Sequence, residues 1–469
     1  MSMDYSLNKI HIYEMDATKG YLETQENTDI VFVPGFSTKG PEKVPTLCRS
    51  LFDLEEIFGT GLKFAEDQYY YNRTSEPVQA NLWEPTAYSH DLNGQETADD
   101  EPDFVVMDGF ESGKPEPGYQ YAAKLLTAGL WVVFERVPCD FADTDAQKEE
   151  EDYEPTSVPT VVAMYKFLSD TEESPYLELL DKGTYSVKYL TSGGYPVFEY
   201  DKNSIVNKMI ACAYCPLELA DGTKEAAARG RGDCIAIIDH TNYAGRDLVG
   251  ANSVFAAVGS LPSAPQAAMF TPWINYTDGT VMPGSFTYLS CLAASIKNNP
   301  NWLAIAGVTR GLVSGVESLN TKKTLSNLIA DNYQPDTGIS INAVTNIRPY
   351  GYCIWGNRTL CKNSGTTASS FLNTRNMICD IKKKAYEASK ALMFEQNTDV
   401  LWINFKATLK PLLDRMVMGN GLASYKFIKR DTKVKGKLDA IIQIVPVYAL
   451  EKVDITVFIT DSDVEVEEE

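Results

Sequence analysis

Residues 119–137, YQYAAKLLTAGLWVVFERV, contain the pattern that decides the fold class. The stretch begins with helix-forming residues, stops at Gly129, and ends in the continuous apolar run LWVVF, which has the length of a buried strand. A helix that stops just before a buried strand is typical of an α/β layer.

The same succession appears twice more along the chain. Residues 224–240, KEAAARGRGDCIAIIDH, predict a helix followed by a strand, and the strand AAMFTPW is followed by Pro-Gly and the helix SFTYLSCLAASIKNN. Alternating helices and apolar strands predict an α/β domain with a largely parallel sheet.

The beginning of this layer has clear local signals. IVFVPG at 30–35 predicts a buried strand, and SLFDLEEIFG at 50–59 predicts a short helix. Ser50 is its expected N-cap, Asp53 stands three residues later, and Gly59 is the expected stop.

The C-terminal third predicts an α+β domain. Two long helices are expected at 373–397 and 398–421, and three strands at 424–428, 438–447 and 453–460. Thr398 and Gly419 are the expected caps of the second helix, and Pro411 should kink or divide it. Its expected apolar stripe is Leu401, Trp402, Phe405, Leu409, Leu412, Leu413 and Met416.

Both ends of the chain have short strand patterns. Near the N-terminus, Ile10 and Ile12 fall on one face of a possible strand. Near the C-terminus the apolar phase changes across 461–463, with Ile455, Val457 and Ile459 on one side and Val464 and Val466 on the other. This change predicts two strands with a flexible joint rather than one strand or a disordered tail.

Length and charge limit the possible functions. The chain has 469 residues, 44% of them hydrophobic, and a formal net charge of −22. Such a length predicts about two to four domains, and the acidic balance argues against nucleic acid or an anionic membrane as a general partner. The N-terminal sequence lacks a signal peptide and no run reaches the roughly 20 apolar residues of a membrane span. We therefore expect a soluble chain made in a cytoplasm.

Charge is unevenly distributed along the chain. Residues 382–437 carry 13 Lys/Arg against 5 Asp/Glu, whereas 139–159 hold eight acids and one lysine. The basic segment is either a solvated helix face or a docking surface for an acidic partner, and the sequence leaves these alternatives near even. A nucleic-acid-binding role for this segment is a further alternative.

Few residues suggest catalysis. Asp239-His240-Thr241 follows the strand CIAII, where α/β enzymes place reactive groups, so a hydrolase-like or phosphate-handling site there is one hypothesis. A polar pair that caps a following helix is favoured. Arg231-Gly232-Asp233 is interpreted as a turn rather than an adhesion motif, and Cys212 and Cys215 as packing residues rather than a metal or redox site. No metal or cofactor is expected.

An ordered set of blocks resembles the contractile tail sheath proteins of myophages, R-type bacteriocins and related injection systems. One position departs from that pattern, because Arg375 is followed by Asn376 where the family usually has two adjacent arginines. The resembling blocks are TDIVFVPGFSTKGPEKVPTLCRSLFDLEEIFG at 28–59, TPWINY to AIAGVTRG at 271–311, INAVTNIRPYGYCIWGNRTL at 341–360, the helix-plus-Trp block at 372–405, and GNGLASYKF at 419–427.

This resemblance implies a mechanical rather than an enzymatic protein. Its subunits would form sixfold rings stacked around an inner tube, with the tail tube, baseplate and tail terminator proteins as partners, and with no nucleic acid, membrane or cofactor. It would be a virion component assembled in the host cytoplasm. Terminal arms would complete an antiparallel sheet in a neighbour, with 453–460 in the subunit's own sheet and 463–467 in a neighbour's. Candidate tube-facing residues are Lys406, Lys410 and Arg415.

The implied domain organisation combines an α/β and an α+β part. It comprises an N-terminal arm at 1–27, an α/β domain at 28–345 with variable acidic insertions at about 60–118 and 139–200, a C-terminal domain at 346–460, and a donor arm at 461–469.

Overall fold

The computed structural model describes most of the chain between residues 29 and 450. The described residues are 29–71, 104–106, 110–143, 148, 152–195, 204–214, 230–239, 265–320, 333–334, 339–361, 368–430 and 438–450. The two predicted arms, the strand at 453–460, and His240 lie outside them. Within the described ranges, no helix is long and apolar enough to cross a membrane.

The elements are numbered in chain order. The strands are β1 Ile30–Gly35, β2 Thr46–Cys48, β3 Tyr69–Tyr71, β4 Phe104–Val106, β5 Trp131–Arg136, β6 Tyr189–Leu190, β7 Ile235–Asp239, β8 Ala267–Thr271, β9 Trp273–Tyr276, β10 Val281–Met282, β11 Val316–Asn320, β12 Tyr333–Gln334, β13 Ile339–Ser340, β14 Asn342–Ile347, β15 Gly351–Trp355, β16 Leu422–Arg430 and β17 Asp439–Pro446. The helices are α1 Leu51–Phe58, α2 Pro117–Ala128, α3 Val161–Ser169, α4 Pro175–Glu178, α5 Ser204–Ala213, α6 Gly284–Ile296, α7 Gly307–Arg310, α8 Leu372–Leu392 and α9 Asp399–Met418.

A mixed eight-stranded sheet forms the centre of the larger domain. Its strand order is β2-β5-β1-β6-β7-β8-β14-β15. The six inner strands run parallel, and β2 and β15 run antiparallel at the two edges. The predicted α/β layer with a largely parallel sheet is therefore confirmed. The smaller sheets, among them β10-β9-β11 and β16-β17, are antiparallel.

Strand β1 is buried along its whole length, as the run IVFVPG predicts. Because successive side chains of a strand point to opposite faces, Ile30 and Phe32 join the core under α3 and α5. Val31 and Val33 join the core under α1, α2 and α6. The sheet is thus covered by helices on both faces, which explains why its inner strands are continuously apolar.

The local signals at the start of the layer are confirmed. The Ser50 side chain accepts a hydrogen bond from the Asp53 N–H at 3.2 Å, and Asp53 accepts one from the Arg49 N–H at 2.9 Å. This reciprocal capping fixes the start of α1. Helix α2 ends at Gly129, whose φ of 104° allows the chain to turn directly into β5.

The C-terminal unit consists of α8, α9 and the hairpin β16-β17. Helix α9 buries five residues of the predicted stripe, with Leu409 and Leu413 fully inaccessible, whereas Trp402 and Leu412 are half-buried. The prediction that Pro411 divides this helix is wrong, because α9 runs uninterrupted from Asp399 to Met418. Proline has no backbone N–H to donate to the carbonyl of Ala407, four residues earlier. Both Pro411 and Ala407 are exposed. Water can therefore bind that carbonyl, which lowers the cost of the proline.

Two expectations about domain organisation need adjustment. The predicted boundary between residues 345 and 346 falls inside β14, and β15 of the same sheet lies beyond it. The acidic stretch 139–200 was expected to be a surface insertion, yet β6 occupies the middle of the sheet and α3 packs in the core. A two-residue strand is too short for its pattern to be visible in the sequence.

Candidate assembly surface

The crevice where an α/β sheet usually binds ligands is filled here by the protein itself. It lies at the carboxyl ends of β1 and β6, where the strand order reverses. The carboxylate of Glu116, the N-cap of α2, accepts hydrogen bonds from Phe36 N at 3.0 Å, Gly118 N at 2.7 Å and the Tyr195 hydroxyl at 3.0 Å. This side chain thus takes the place that a bound anion would have at a helix N-terminus.

Close backbone packing completes the closure of this crevice. A Cβ on Gly118 would lie 2.2 Å from the Pro34 carbonyl oxygen. Burial raises the pKa of Glu116 to about 7, although four hydrogen bonds to its carboxylate oppose the shift. The group is a structural cap and is fully buried among the described residues.

Asp239 is also a helix cap rather than an exposed reactive group. Its carboxylate accepts hydrogen bonds from the N–H and the hydroxyl of Ser285, both at 2.7 Å, in the first turn of α6. Tyr121 in turn donates to the Ser285 hydroxyl at 3.1 Å. The capping interpretation is confirmed for Asp239 alone, which caps α6 after the intervening strands β8, β9 and β10, whereas His240 lies outside the described residues. The catalytic hypothesis required an accessible pair with His240, and Asp239 is buried.

We expect the Asp239→Asn variant to flatten part of the pH dependence of stability. Burial raises the pKa of Asp239 from 3.8 to about 7, so between these values the folded state keeps a proton that the unfolded state has lost. The free energy of unfolding therefore falls as pH rises through this window, by roughly 1.4 kcal/mol per pH unit for one such group. Urea unfolding between pH 4 and 7 would measure the slope.

Ser285→Ala is the matched control for this prediction. It removes the two hydrogen bonds of the Ser285 hydroxyl but keeps the titrating carboxyl, so its stability should still fall with rising pH. An Asp239→Asn slope equal to that of the wild type would contradict the assignment.

The tripeptide Arg231-Gly232-Asp233 is inside the protein. The Arg231 guanidinium pairs with Asp233 at 3.0 Å and donates to the Leu179 carbonyl at 2.6 Å. Both side chains are buried. The interpretation of this segment as a turn before a strand is confirmed, and the adhesion interpretation is excluded because a receptor could not reach it.

The C-terminal unit is held together by an aromatic cluster between α9 and the hairpin. Trp402 stacks on Phe405 with ring centres 5.8 Å apart, and Phe427 of β16 meets Trp402 edge-on at 6.2 Å. Tyr425 and Phe427 face inward opposite Ile444 and Ile442 of β17. The inner face of the hairpin is therefore fixed on the helices.

Only two strands of this sheet lie within the described residues. A two-stranded hairpin has an unpaired backbone edge on each outer side and is stable only when it packs on something else. Its outward face includes Lys426 and Val445, both exposed. The hairpin is thus suited to receive further strands along its edges.

Helix α9 has a second apolar stripe on the side opposite the core. Val400, Ile403 and Met418 are 62%, 56% and 76% exposed. Ala407 and Pro411 continue the same line at helical spacing. An apolar stripe on an exposed helix face is typical of a docking surface.

The predicted tube-facing residues lie beside this stripe. Lys410 and Arg415 are exposed on its two sides, whereas Lys406 is half-buried, with its ammonium 5.3 Å from the centre of the Trp402 ring. The sequence interpretation named the basic residues and missed the apolar stripe between them. The signal present in the sequence is the set of apolar residues at helix positions opposite the predicted core stripe of α9.

The C-terminal unit is anchored to the larger domain through the loop after α6. The Trp302 indole donates to the Gly419 carbonyl at 3.1 Å, and its ring covers Gly421 so closely that a Cβ there would lie 2.6 Å away. Asn373 of α8 donates to the Trp302 carbonyl at 3.1 Å. The turn GNG at 419–421 therefore serves as a contact surface as well as the end of a helix.

Comparison with solved structures identifies the fold. A chain of the cryo-EM structure of the anti-feeding prophage baseplate superposes with a TM-score of 0.54 at 15% identity, covering 93% of this chain and 94% of that one. A chain of an extracellular contractile injection system, the PVC sheath complex in the contracted state, gives 0.53 at 14% identity, covering 98% and 99%. The anti-feeding prophage helical sheath in the contracted state gives 0.51 at 15%, covering 97% and 99%.

No family model matches the chain, and no curated protein matches its sequence. The three structural matches extend over nearly the whole chain, so both the α/β domain and the C-terminal unit are included. The chain has the fold of contractile sheath proteins, as the resemblance of its sequence blocks predicted.

Proposed function

We propose that this chain, which has the fold of contractile sheath proteins, is the structural subunit of a contractile tail sheath. Its copies stack as sixfold rings around an inner tube and contract to drive the tube through a target cell envelope. The single observation that carries this proposal is the near-complete coverage of the sheath chains, 99% of their length in both contracted-state structures. The role is mechanical and not enzymatic.

In this proposal the terminal arms link neighbouring subunits. The segment 1–27, with Ile10 and Ile12 on one face, and the segment 461–469, with Val464 and Val466, add strands to the hairpin of another copy. The strand at 453–460, with Ile455, Val457 and Ile459, joins the subunit's own sheet. The described part of this sheet consists of β16 and β17 alone, which supports this assignment.

The outer face of α9 is the proposed contact with the tube. Lys406, Lys410 and Arg415 supply positive charge and the Val400–Met418 stripe supplies apolar area. Exposed ion pairs are weak and sensitive to salt, which suits a contact that has to break during contraction. The similarity to a chain of a baseplate assembly supports the baseplate as a further partner. The proposal also includes the tail terminator protein as a partner and places this chain in the virion.

Reversing the three charges to glutamate should separate tube binding from polymerisation. Each exposed ion pair contributes about 0.2–1 kcal/mol, and the losses add over all the subunits that touch the tube. We expect the triple variant to form sheaths that lack a tube or contract early. Its difference from the wild type should be larger at low salt. Electron microscopy of particles from producing cells would count extended and empty sheaths.

A matched control reverses three exposed lysines of the larger domain, Lys39, Lys63 and Lys114. This control changes net charge equally and should keep tubes inside its sheaths. An α9 variant with a normal share of extended, tube-filled particles would refute the tube assignment.

The proposed function itself is tested by expressing the chain alone and examining it by electron microscopy. Hollow tubular polymers support the proposal. A chain that stays monomeric at high concentration, with its termini intact by mass spectrometry, would overturn it.

A further inference from the structure

A buried polar cluster connects the start of the sheet to the C-terminal unit. The Lys188 ammonium donates to Asp29 at 2.8 Å and to Asp380 at 2.7 Å. The Asn301 amide donates to the second oxygens of the same two carboxylates, at 3.1 Å and 2.8 Å. We name these four residues the Lys188 junction. The Lys188 side chain is 0% exposed.

The members of the junction come from separate parts of the fold. Asp29 immediately precedes β1 and directly follows the N-terminal segment, whereas Asp380 lies in the middle of α8. Lys188 precedes β6 and is itself held in the sheet, since its N–H donates to the Ile30 carbonyl at 2.8 Å and its carbonyl accepts from Ile235 at 2.7 Å. The Lys188 ammonium therefore joins the residue before β1 to helix α8, while the Lys188 backbone bonds to β1 and β7.

The charges of the junction depend on one another. Burial alone would lower the pKa of Lys188, but Asp29 and Asp380 outweigh it and the pKa is raised. Burial alone would likewise raise the pKa of Asp29, and Lys188 holds it below the ordinary value. Displacing Lys188 would leave both carboxylates unpaired in a buried site, and displacing either carboxylate would remove one of the two ion pairs of the ammonium. The three groups should thus move together.

Helix α8 is fixed to the sheet by further directional contacts. Arg375 and Lys382 both donate to the Gly232 carbonyl, at 3.2 Å and 3.0 Å, and Lys383 donates to the Val187 carbonyl at 3.0 Å. The distal part of the same helix packs against α9 through Ala388. A shift of α8 at the junction is therefore transmitted to α9.

We infer that the Lys188 junction is a mechanical coupling that passes a displacement of the segment preceding β1 to helix α8 and through it to α9. The inference rests on the proposed function, in which that segment reaches a neighbouring subunit. A pull on the segment acts first on Asp29, whose carboxylate cannot leave without breaking one of the two ion pairs of the buried ammonium and its hydrogen bond from Asn301. The neighbouring subunit would act on the segment preceding β1. The response would appear at the outer face of α9, the proposed contact with the tube.

Hydrogen exchange of the full-length chain tests this coupling. Asp29→Asn weakens the junction far from α8 in sequence, and we expect the α8 amides at 376–383 to exchange about tenfold faster, since a hydrogen bond to a charged group shifts a local equilibrium by at least that factor. Asn301→Ala is the milder second variant, because it changes no charge and should give the same direction of change.

The matched control is Asp239→Asn, which alters another buried aspartate, the cap of α6. The Asp239 side chain makes its hydrogen bonds to Ser285 and to no residue of α8. It should leave exchange at 376–383 unchanged. Exchange in α8 that stays at the wild-type rate in Asp29→Asn and Asn301→Ala would overturn the coupling, as would an equal acceleration by Asp239→Asn. The readout does not require polymers, so its failure is distinguishable from failure of the sheath proposal.

Discussion

Replacing Lys188 with methionine should lower the free energy of unfolding by about 3–5 kcal/mol, because it leaves Asp29 and Asp380 unpaired in a buried site. The methionine can fill most of the volume of the lysine side chain, so lost packing contributes little. The two carboxylates, which now share one ammonium, would face each other without compensation. Chemical denaturation at pH 7 would measure the loss, and lowering the pH should restore part of it as the carboxylates become protonated.

Two further variants identify the cause of this loss. Lys43→Met removes an ion pair of the same 2.8 Å length, but one in which both side chains are substantially exposed. It should cost less than about 1 kcal/mol. The triple variant Asp29→Asn, Lys188→Met, Asp380→Asn leaves no charge in the Lys188 junction and should regain most of the stability. A loss for Lys188→Met no larger than that of Lys43→Met would contradict this account.

Deleting residues 461–469 should prevent the formation of long polymers. A donated strand of about six residues gains roughly 3–6 backbone hydrogen bonds at about 1 kcal/mol each. Losing them corresponds to a roughly 10²- to 10⁴-fold weaker contact between subunits, and the loss recurs at every subunit of the assembly. The concentration at which tubes appear in sedimentation or electron microscopy should rise accordingly.

The terminal glutamates provide the matched control for this deletion. Replacing Glu468 and Glu469 with glutamine keeps the whole predicted donor strand at 463–467 and changes only residues expected to stay in water. This variant should polymerise nearly as the wild type does. Deletion polymers as abundant as wild-type polymers would refute the donor-arm assignment.

The sequence predicts the parts of the fold whose causes are local. The capping of α1 by Ser50 and Asp53, the stop at Gly129 and the buried face of α9 all depend on residues within a few positions of each other. The blocks that resemble sheath proteins added the order of the elements, and the structural matches confirm the fold.

The remaining features depend on contacts between distant segments. Lys188 meets Asp29 and Asp380 across 159 and 192 positions, and nothing near Lys188 in the sequence marks it as buried. Strand β6 is recognisable only from its place beside β1 and β7. The sequence predicts that Pro411 kinks or divides α9, because it does not reveal that this proline faces solvent.

The same distinction applies to the candidate surface. Charge alone led to Lys406, Lys410 and Arg415, because a basic segment in an acidic chain is visible by counting. The exposed stripe from Val400 to Met418 became evident only when the opposite face of α9 proved to be the buried one. Apolar residues on both faces of one helix cannot be assigned to core or surface by periodicity alone.

Cryo-electron microscopy of polymers of the purified full-length chain, viewed along their axis, tests the central claim most directly. The account predicts a hollow tube with sixfold rotational symmetry, density from one subunit's terminal arm beside the β16-β17 hairpin of another, and α9 facing the lumen. A solid filament, another rotational symmetry, or a tube in which α9 lies on the outer surface would contradict it.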